Sequence, residues 1–291
     1  MPINVQKKSQ TKKYKDPLPG FYKYSDDIVR EPKAIPSSVG ILKYPEGAFV
    51  SLLGLPGCGK TYFSIQECIT ASVDGKSSLY LHNESDRTTF PIVVKNIMNS
   101  MELTSDDLKY IDFVDMTNIQ LGSADYRTIE LFAKNMWAKK VKYWIEHVAR
   151  SKPAFVVIDS FSKIGRRYIP QMFYLSEKLI EALRNVYNET KTFPVTILVH
   201  QKSGSHYERY DDSVVGGMGI VHETDVTIVL NLYHVDRWMV RDFPSLKLGS
   251  NLYTMKIVKS RIVSNPYDEF IVIIEDGKLT ATVPLNSLRG P

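Results

Sequence analysis

Residues 54–61 read GLPGCGKT, and this stretch determines how the rest of the chain is interpreted. It fits the phosphate-loop pattern G-x-x-x-x-G-K-[ST], with Gly54, Gly59, Lys60 and Thr61 at the required positions. Glycines permit positive φ angles, so the backbone N–H groups of such a loop can curve around phosphate oxygens. The lysine reaches the β- and γ-phosphates of a nucleotide, and the threonine hydroxyl completes the shell of a Mg²⁺ ion.

The residues on either side of the loop predict the two elements that such a loop needs. AFVSLL (48–53) is a short apolar run typical of a buried strand, and TYFSIQECITAS (61–72) favours a helix. A strand, a glycine loop and a helix N-terminus together form an anion site. A glycine turn with an incidental lysine is the alternative explanation. The predicted nucleotide-binding residues are Gly54, Leu55, Pro56, Gly57, Cys58, Gly59, Lys60, Thr61 and Tyr62.

Composition limits the class of protein. With 291 residues and 43% apolar content, the chain can bury one sizeable core. Apolar runs are too short for a membrane helix, which needs about 20 residues, and no apolar stretch follows the charged N-terminus. Cys58 and Cys68 are too few for a disulfide framework or a metal site, and Cys58 is interpreted as filler inside the loop. We therefore expect a soluble, intracellular, cytoplasmic protein without a membrane contact.

The positive charge is concentrated at the N-terminus. Residues 1–15 contain five lysines and no acidic residue, and the whole chain has a formal net charge of +5, so the rest of the chain is neutral. A neutral body argues against a broad electrostatic footprint for DNA. The basic tail either contacts nucleic acid or is a disordered, solubilising arm. We predict a partly disordered basic extension over residues 1–36 and one core over residues 37–291.

Strand-like and helix-like segments alternate along this core. Such alternation predicts an α/β fold, a mostly parallel sheet flanked by helices. Two terminal strands without a helix between them, followed by a turn at 276–277, predict an antiparallel extension of the sheet. The predicted strands after the loop are 77–84, 109–116, 153–160, 194–201, 225–233, 252–261 and 269–276, and the predicted helices are 91–101, 125–150 and 171–190.

Two acidic residues end predicted strands and are candidates for the metal and the water. Asp159 ends the apolar run FVVID, where a carboxylate beside a phosphate loop can anchor Mg²⁺; a helix N-cap is the alternative. Glu84 ends the strand SSLYLHNE and can hold and deprotonate the attacking water, with Asp86 as a second candidate. A solvated strand end or a helix cap is the alternative for Glu84.

The ordered set of these pieces resembles the RecA superfamily of ATPases, specifically the branch that contains KaiC, RadA and the DnaB-type helicases. GLPGCGKT is followed by LYLHNE (79–84), FVVIDS (155–160), ILVHQ (197–201) and KIVKSR (256–261). GGMGIVHETDVTIVL (216–230) is similar to the family's glycine pair, short helix and next strand. The resemblance covers roughly residues 40–280 and implies a RecA-like core that binds ATP and Mg²⁺, although IPSSVGILKYPEG (35–47) is a poor version of the family's opening.

The resemblance also implies roles for three residues near strand ends. Gln201 would sense the γ-phosphate. Lys259 and Arg261 form a K-x-R arrangement that, in the KaiC-like and DnaB-like members, reaches the nucleotide of the neighbouring subunit. Residues two apart in a strand face the same side, and a cation supplied in trans raises the rate by about 10³–10⁵ in well-studied cases. Two cations on a solvated strand face are the alternative. This role requires a homo-oligomer, either a hexamer or a filament.

Two loops correspond to the DNA-contacting loops of recombinases and helicases. The first, KIGRRYIP (163–170), combines cations with Tyr168 in a phosphate-plus-stacking set. The second, at about 202–218, is more acidic and has the composition of a mobile segment. We expect ATP hydrolysis coupled to the binding, remodelling or translocation of single-stranded DNA. The alternative is a KaiC-like regulatory ATPase or autokinase that acts on protein partners; a small-molecule kinase fits poorly. The nucleic-acid candidates are Lys163, Arg166, Arg167, Lys202 and Arg209.

Overall fold

A computed structural model describes most of the chain from Ala34 onward. The described residues are 34–40, 42–83, 88–119, 121, 125–164, 171–201, 223–244, 246–261, 269–275 and 278–285. Within them the strands are β1 (Ala34–Pro36), β2 (Lys43–Pro45), β3 (Phe49–Gly54), β4 (Ser78–His82), β5 (Ile111–Asp115), β6 (Phe155–Asp159), β7 (Val195–Gln201), β8 (Val226–His234), β9 (Asn251–Ser260), β10 (Glu269–Glu275) and β11 (Lys278–Pro284).

In the part of the chain that the structure describes, six α-helices lie between the strands, and all but the last were predicted. They are α1 (Lys60–Val73), α2 (Thr89–Ser100), α3 (Tyr126–Leu131), α4 (Ala138–Tyr143), α5 (Met172–Thr190) and α6 (Arg237–Asp242). π-Helical turns over Phe132–Trp137 and Trp144–Val148 join and extend α3 and α4, so residues 126–148 follow the single predicted helix closely. Short 3₁₀ turns cover Ser105–Leu108 and Phe161–Lys163. Among the described residues, no helix has the length and apolar character to span a membrane.

The main sheet has nine strands among the described residues, in the order β11-β10-β9-β8-β3-β7-β6-β4-β5. The six strands from β8 to β5 are parallel, and β9, β10 and β11 are antiparallel. Strands β3, β4 and β6 are buried along their whole length, which explains their continuous apolar runs. The predicted α/β class with an antiparallel C-terminal extension is therefore confirmed.

Helices cover both faces of this sheet, and each face has its own core. On one face the core includes Phe63, Ile65 and Cys68 of α1. On the other face it includes Trp137 and residues of α5 such as Leu183. The sheet is thus the middle layer of three, as a parallel sheet with helical crossovers requires.

Three strands and one helix of the described chain were not predicted. β1 and β2 form a separate antiparallel hairpin, so the predicted boundary after residue 36 falls at the end of a paired strand. α6 follows β8, and β11 adds a third antiparallel strand where the sequence analysis placed only two. Residues 1–33 of the predicted basic N-terminal extension and the predicted turn at 276–277 lie outside the described residues.

Helix α1 holds elements from both ends of the described chain. The Gln66 side-chain amide donates to the Leu279 carbonyl at 2.8 Å and accepts from the Leu279 N–H at 2.7 Å. The next residue, Glu67, accepts bonds from the Ser37 hydroxyl at 2.6 Å and from the Ser38 N–H at 2.9 Å. Both side chains are buried. The helix after the phosphate loop therefore connects the β1–β2 hairpin with β11.

Candidate nucleotide-binding site

The phosphate loop connects the buried strand β3 to helix α1. Gly57 and Gly59 have φ angles of +81° and +93°, the left-handed region that glycine adopts without strain. Lys60 begins α1, and its ammonium donates to the carbonyls of Gly54 at 2.9 Å and Leu55 at 2.8 Å. The loop thus curls over the N-terminus of a 14-residue helix, which is the position where backbone N–H groups favour an anion.

The Cys58 side chain packs beneath the loop, which its interpretation as filler does not anticipate. Its side chain is only 4% exposed and belongs to the core on the α1 face. A Cβ atom on Gly54 would lie 2.2 Å from the Cys58 sulfur and 2.7 Å from the Leu230 carbonyl oxygen. Burial raises the pKa of the thiol. The sequence pattern leaves this position open, because packing beneath the loop is set by β8, which is distant in sequence.

The first turn of α1 meets the end of β6 at the predicted metal position. The Thr61 hydroxyl donates to Asp159 Oδ2 at 2.8 Å, and Asp159 is 2% exposed. A hydroxyl and a carboxylate are hard oxygen donors of the kind that Mg²⁺ prefers. No group of three or more His, Cys, Asp or Glu residues forms a metal cage among the described residues. A Mg²⁺ ion that uses one or two protein oxygens and the nucleotide phosphates fits this donor set.

Tyr80 is a site residue that the sequence analysis missed. It lies fully buried on β4, and its hydroxyl donates to the same Asp159 oxygen at 2.7 Å. Its pKa is raised well above the ordinary value, first by burial and then by the Asp159 charge. In the sequence Tyr80 is one of several apolar strand residues. Its role depends on the pairing of β4 with β6, which places Tyr80 opposite Val157 and which no local pattern reveals.

The chain after β4 is fixed to the end of β6 at the same edge of the sheet. The Asn83 N–H donates to the Asp159 carbonyl at 2.8 Å, and the Asn83 side-chain oxygen accepts from the Ser160 N–H at 2.7 Å. The Asp159–Ser160 peptide bond is cis. Glu84 and Asp86, the predicted water-activating candidates, lie outside the described residues. Asn83 marks the point from which the chain continues towards them.

Gln201 ends β7 directly opposite Gly54 in the parallel register, so it lies at the edge where the phosphate loop begins. The preceding His200 is fully buried and packs edge-on against Phe161, with 5.3 Å between ring centroids. Burial lowers the pKa of His200 to about 3, so the imidazole is neutral at physiological pH. The end of β7 therefore places Gln201 level with the start of the loop and a neutral ring in the core.

Lys259 and Arg261 lie towards the opposite edge of the sheet from their own phosphate loop. Lys259 pairs with Thr227, which is level with Ser51, whereas the loop begins at Gly54. The Arg261 N–H donates to the carbonyl of Asp225, which lies beside Phe49 at the start of β3. The five residues from Phe49 to Gly54 span about 16 Å at 3.3 Å per residue, so Arg261 lies about that far from the start of the loop. In this fold the two cations are directed away from the nucleotide of their own chain.

The two cations contact the short segment that precedes β8. The Lys259 ammonium donates to the Thr224 carbonyl at 2.6 Å, and an Arg261 guanidinium nitrogen lies 3.4 Å from Asp225 Oδ1. β9 ends at Ser260, and the Arg261 N–H continues the pairing with Asp225, so the two cations contact neighbouring residues of this segment. Burial, and then the Arg261 charge, lower the pKa of Lys259.

Asp225 also anchors the strand that leads to the loop, a contact that the sequence analysis missed. Its Oδ2 accepts from the Phe49 N–H at 2.9 Å, at the start of β3. Nearby, Arg184 of α5 pairs with Glu223 at 2.9 Å. This charged cluster joins residues from β3, α5, the segment before β8 and the end of β9, so only the folded chain brings it together.

Of the predicted nucleic-acid residues, only Lys163 falls within the described ranges, at the end of the 3₁₀ turn after β6. Arg166, Arg167, Lys202 and Arg209 lie outside those ranges, as does Tyr168. β6 and β7 are adjacent and parallel, so both strands end at the carboxyl edge of the sheet, where the phosphate loop begins. This edge is where ligands of open α/β sheets bind.

Comparison with known proteins places these features in a family. Residues 34–284 match the family model described as "ATPase: KaiC". Among solved structures, the chain is similar to a KaiC-like protein from the hyperthermophilic archaeon Pyrococcus horikoshii, with a TM-score of 0.59 and 16% sequence identity. That match covers 87% of this chain and 100% of the other, and at this identity it shows the fold alone. A search of curated protein sequences gave no match.

Proposed function

The chain belongs to the KaiC family of ATPases within the RecA superfamily, and from this premise we propose that it hydrolyses Mg²⁺-ATP at residues 54–61. The observation that carries the proposal is the contact between Thr61 and Asp159 at 2.8 Å, immediately beside the phosphate loop. It brings a hydroxyl and a carboxylate together where the pattern requires a metal. Bound Mg²⁺ would neutralise charge on the β- and γ-phosphates.

Each residue of the site has a separable task. The loop N–H groups and Lys60 bind the phosphates, Thr61 and Asp159 hold the metal position, and Gln201 senses the γ-phosphate. Glu84 is proposed to deprotonate the attacking water, because the chain leading to it is fixed at the end of β6 through Asn83. These assignments predict that Lys60→Ala abolishes nucleotide binding without unfolding the chain.

We propose further that the active form is a homo-oligomer, a hexamer or a filament. Arg261 lies about 16 Å along the sheet from its own loop, so it can complete only the site of another copy. Its ion pair with Asp225 is long, and its side chain is 60% exposed, so a phosphate can replace the carboxylate at little cost.

Mixing two inactive variants tests this trans role. Lys60→Ala lacks the loop lysine but retains Arg261, whereas Arg261→Ala retains the loop and lacks the cation. A mixture contains interfaces with both residues intact, so ATP hydrolysis should return towards a quarter of the wild-type rate at equal amounts under random assembly. A mixture as inactive as its components, or full activity of a strict monomer by sedimentation, would exclude the trans site.

For the coupled task, we propose the binding and remodelling or translocation of single-stranded DNA. The support is positional: β6 and β7, the strands that precede Lys163, Arg166, Arg167, Lys202 and Arg209 in the sequence, end at the edge of the sheet where the phosphate loop begins. ATP hydrolysis is therefore expected to rise on addition of single-stranded DNA at low salt, and Arg166→Ala/Arg167→Ala should lose this stimulation while keeping the basal rate. If the chain neither binds single-stranded DNA nor is stimulated by it, the result would support the alternative, a regulatory ATPase that acts on protein partners.

A further inference from the structure

We propose that Tyr80 is a positioning residue of the metal site, whose hydroxyl fixes the Asp159 carboxylate for Mg²⁺. The inference rests on the proposed function, because it assumes that Asp159 serves the metal. It adds a residue from β4, an element that contributes nothing else described to the site. The inference follows from three observations: a shared acceptor oxygen, a ring locked by packing, and a hydroxyl row that begins in α1.

The first observation is that two hydroxyls converge on one carboxylate oxygen. Asp159 Oδ2 accepts from Thr61 at 2.8 Å and from Tyr80 at 2.7 Å. Thr61 belongs to α1 and Tyr80 to β4, the strand that pairs with β6, and both lie on the α1 face of the sheet. Rotation of the carboxylate about its χ2 bond would lengthen both bonds, so the pair fixes the plane of the group. Hydrogen bonds to a charged acceptor are stronger than those between neutral groups.

The second observation is that the Tyr80 hydroxyl has little freedom to move. The side chain is fully buried, and its ring centroid lies 5.7 Å from those of Phe90 and Phe113. The hydroxyl position is therefore set by the packing of α2 and β5 as well as by β4. A donor held by packing can orient a carboxylate in a way that a solvated hydroxyl cannot, since side chains locked by neighbours keep a site within its productive geometry.

The third observation extends the row of hydroxyls back to the phosphate-loop helix. Ser64 Oγ lies 3.0 Å from the Tyr80 hydroxyl and 3.1 Å from the Thr61 carbonyl. Thr61, Ser64, Tyr80 and Asp159 thus form a row of close polar contacts between α1, β4 and β6, in which the single Ser64 proton goes either to Tyr80 or to the Thr61 carbonyl. The first turn of α1 therefore contacts the Asp159 carboxylate directly through Thr61 and indirectly through Ser64 and Tyr80.

A purely structural role for the Tyr80 hydroxyl makes a different prediction. Any buried tyrosine requires a hydrogen-bond partner, and loss of such a bond lowers stability wherever it lies. Tyr187 provides a matched control, because it is also buried and its hydroxyl lies 2.9 Å from the Thr196 hydroxyl. Tyr187 packs in the core of the opposite face, away from Asp159.

The experiment compares Tyr80→Phe and Tyr187→Phe in the full chain. The principal readout is the Mg²⁺ concentration that half-saturates binding of a fluorescent ATP analogue; binding in EDTA and thermal unfolding are measured in parallel. We expect Tyr80→Phe to raise the half-saturating Mg²⁺ concentration roughly 3- to 10-fold, because it removes one bond to a charged group. Binding in EDTA should be unchanged. Tyr187→Phe should lower thermal stability and leave the Mg²⁺ requirement as in the wild type.

Ser64→Ala serves as the second variant if Tyr80→Phe folds poorly, and it should shift the Mg²⁺ requirement in the same direction by a smaller factor. The positioning role would be overturned if neither Tyr80→Phe nor Ser64→Ala raises the half-saturating Mg²⁺ concentration more than Tyr187→Phe does. A wild-type chain that binds the analogue without any Mg²⁺ dependence would overturn the proposed function itself, and Tyr80 with it.

Discussion

Glu67 offers a quantitative test of how the phosphate-loop helix is held. Its carboxylate is fully buried in α1 and accepts bonds from Ser37 and Ser38, while the Tyr44 hydroxyl lies 3.3 Å away. Burial raises the pKa of Glu67 from its ordinary 4.5 to about 7, despite hydrogen bonds that act in the opposite direction. The perturbation is Glu67→Gln, a neutral side chain of the same size that can orient its amide oxygen to the Ser38 N–H.

The sign and size of the effect follow from linkage. The folded state binds the Glu67 proton more tightly than the unfolded state, so this group stabilises the fold fully below pH 4.5. That stabilisation is lost as the pH rises through about 7. A difference of about 2.5 in pKa corresponds to about 3 kcal/mol in the free energy of unfolding. Glu67→Gln removes the titrating group, so its free energy of unfolding should rise relative to that of the wild type by about this amount between pH 5 and 8.

Urea denaturation at a series of pH values measures this difference. Glu46→Gln is the matched control, because Glu46 is exposed in the turn after β2 and should leave the pH profile unchanged. The decisive quantity is how the difference in free energy of unfolding between Glu67→Gln and the wild type changes with pH, not the size of that difference at one pH. Parallel profiles for Glu67→Gln and the wild type from pH 5 to 8 would refute the reasoning, since they would mean that Glu67 is ionised in the folded state at low pH.

Three further substitutions test contacts around the loop. Gly54→Ala should weaken nucleotide binding and lower the free energy of unfolding by about 1–3 kcal/mol, because the added methyl group overpacks the loop. Adding Cys58→Ala should restore nucleotide binding and stability only partly, because the Leu230 carbonyl oxygen stays 2.7 Å from the new methyl group. Calorimetry measures both the binding and the unfolding. Asp225→Asn should leave the free energy of unfolding in urea almost unchanged, because the asparagine oxygen can still accept from the Phe49 N–H. Asp225→Ala should lower that free energy by about 1–2 kcal/mol, and equal losses in the two variants would contradict the role of this hydrogen bond. Gln66→Ala should cost about 2–4 kcal/mol in the same assay because it leaves two buried backbone groups of β11 unpaired, and a smaller loss would mean that water replaces the amide.

The sequence predicts the parts of this molecule that depend on local pattern. Buried parallel strands such as β3 and β6 read as continuous apolar runs, and the phosphate loop has a strict spelling, so both are found without a structure. The hairpin β1–β2 was missed because its strands have three residues each. β11 was missed because KLTATVP has no apolar run comparable with those of the buried strands.

The site residues divide in the same way. Thr61 and Asp159 could be paired in advance because the phosphate-loop chemistry requires both. Tyr80 and Asp225 could not, because each acts through a strand or segment remote in sequence, 79 and 176 residues from the partner it bonds. Strand alternation predicts that Lys259 and Arg261 face the same side, whereas their contacts with Thr224 and Asp225 depend on the pairing of β9 with β8.

The contact between Gln66 and Leu279 has a consequence for how the protein is made. The two residues are 213 positions apart, and a ribosome produces the phosphate loop and its helix long before it produces β11. Until residue 279 has been added, the buried amide of Gln66 lacks its backbone partners on that strand. During synthesis the helix after the loop therefore gains its contact with β11 only once residue 279 has been added. A nascent chain arrested before β11 would contain every letter of GLPGCGKT and lack the β11 contact that supports its helix.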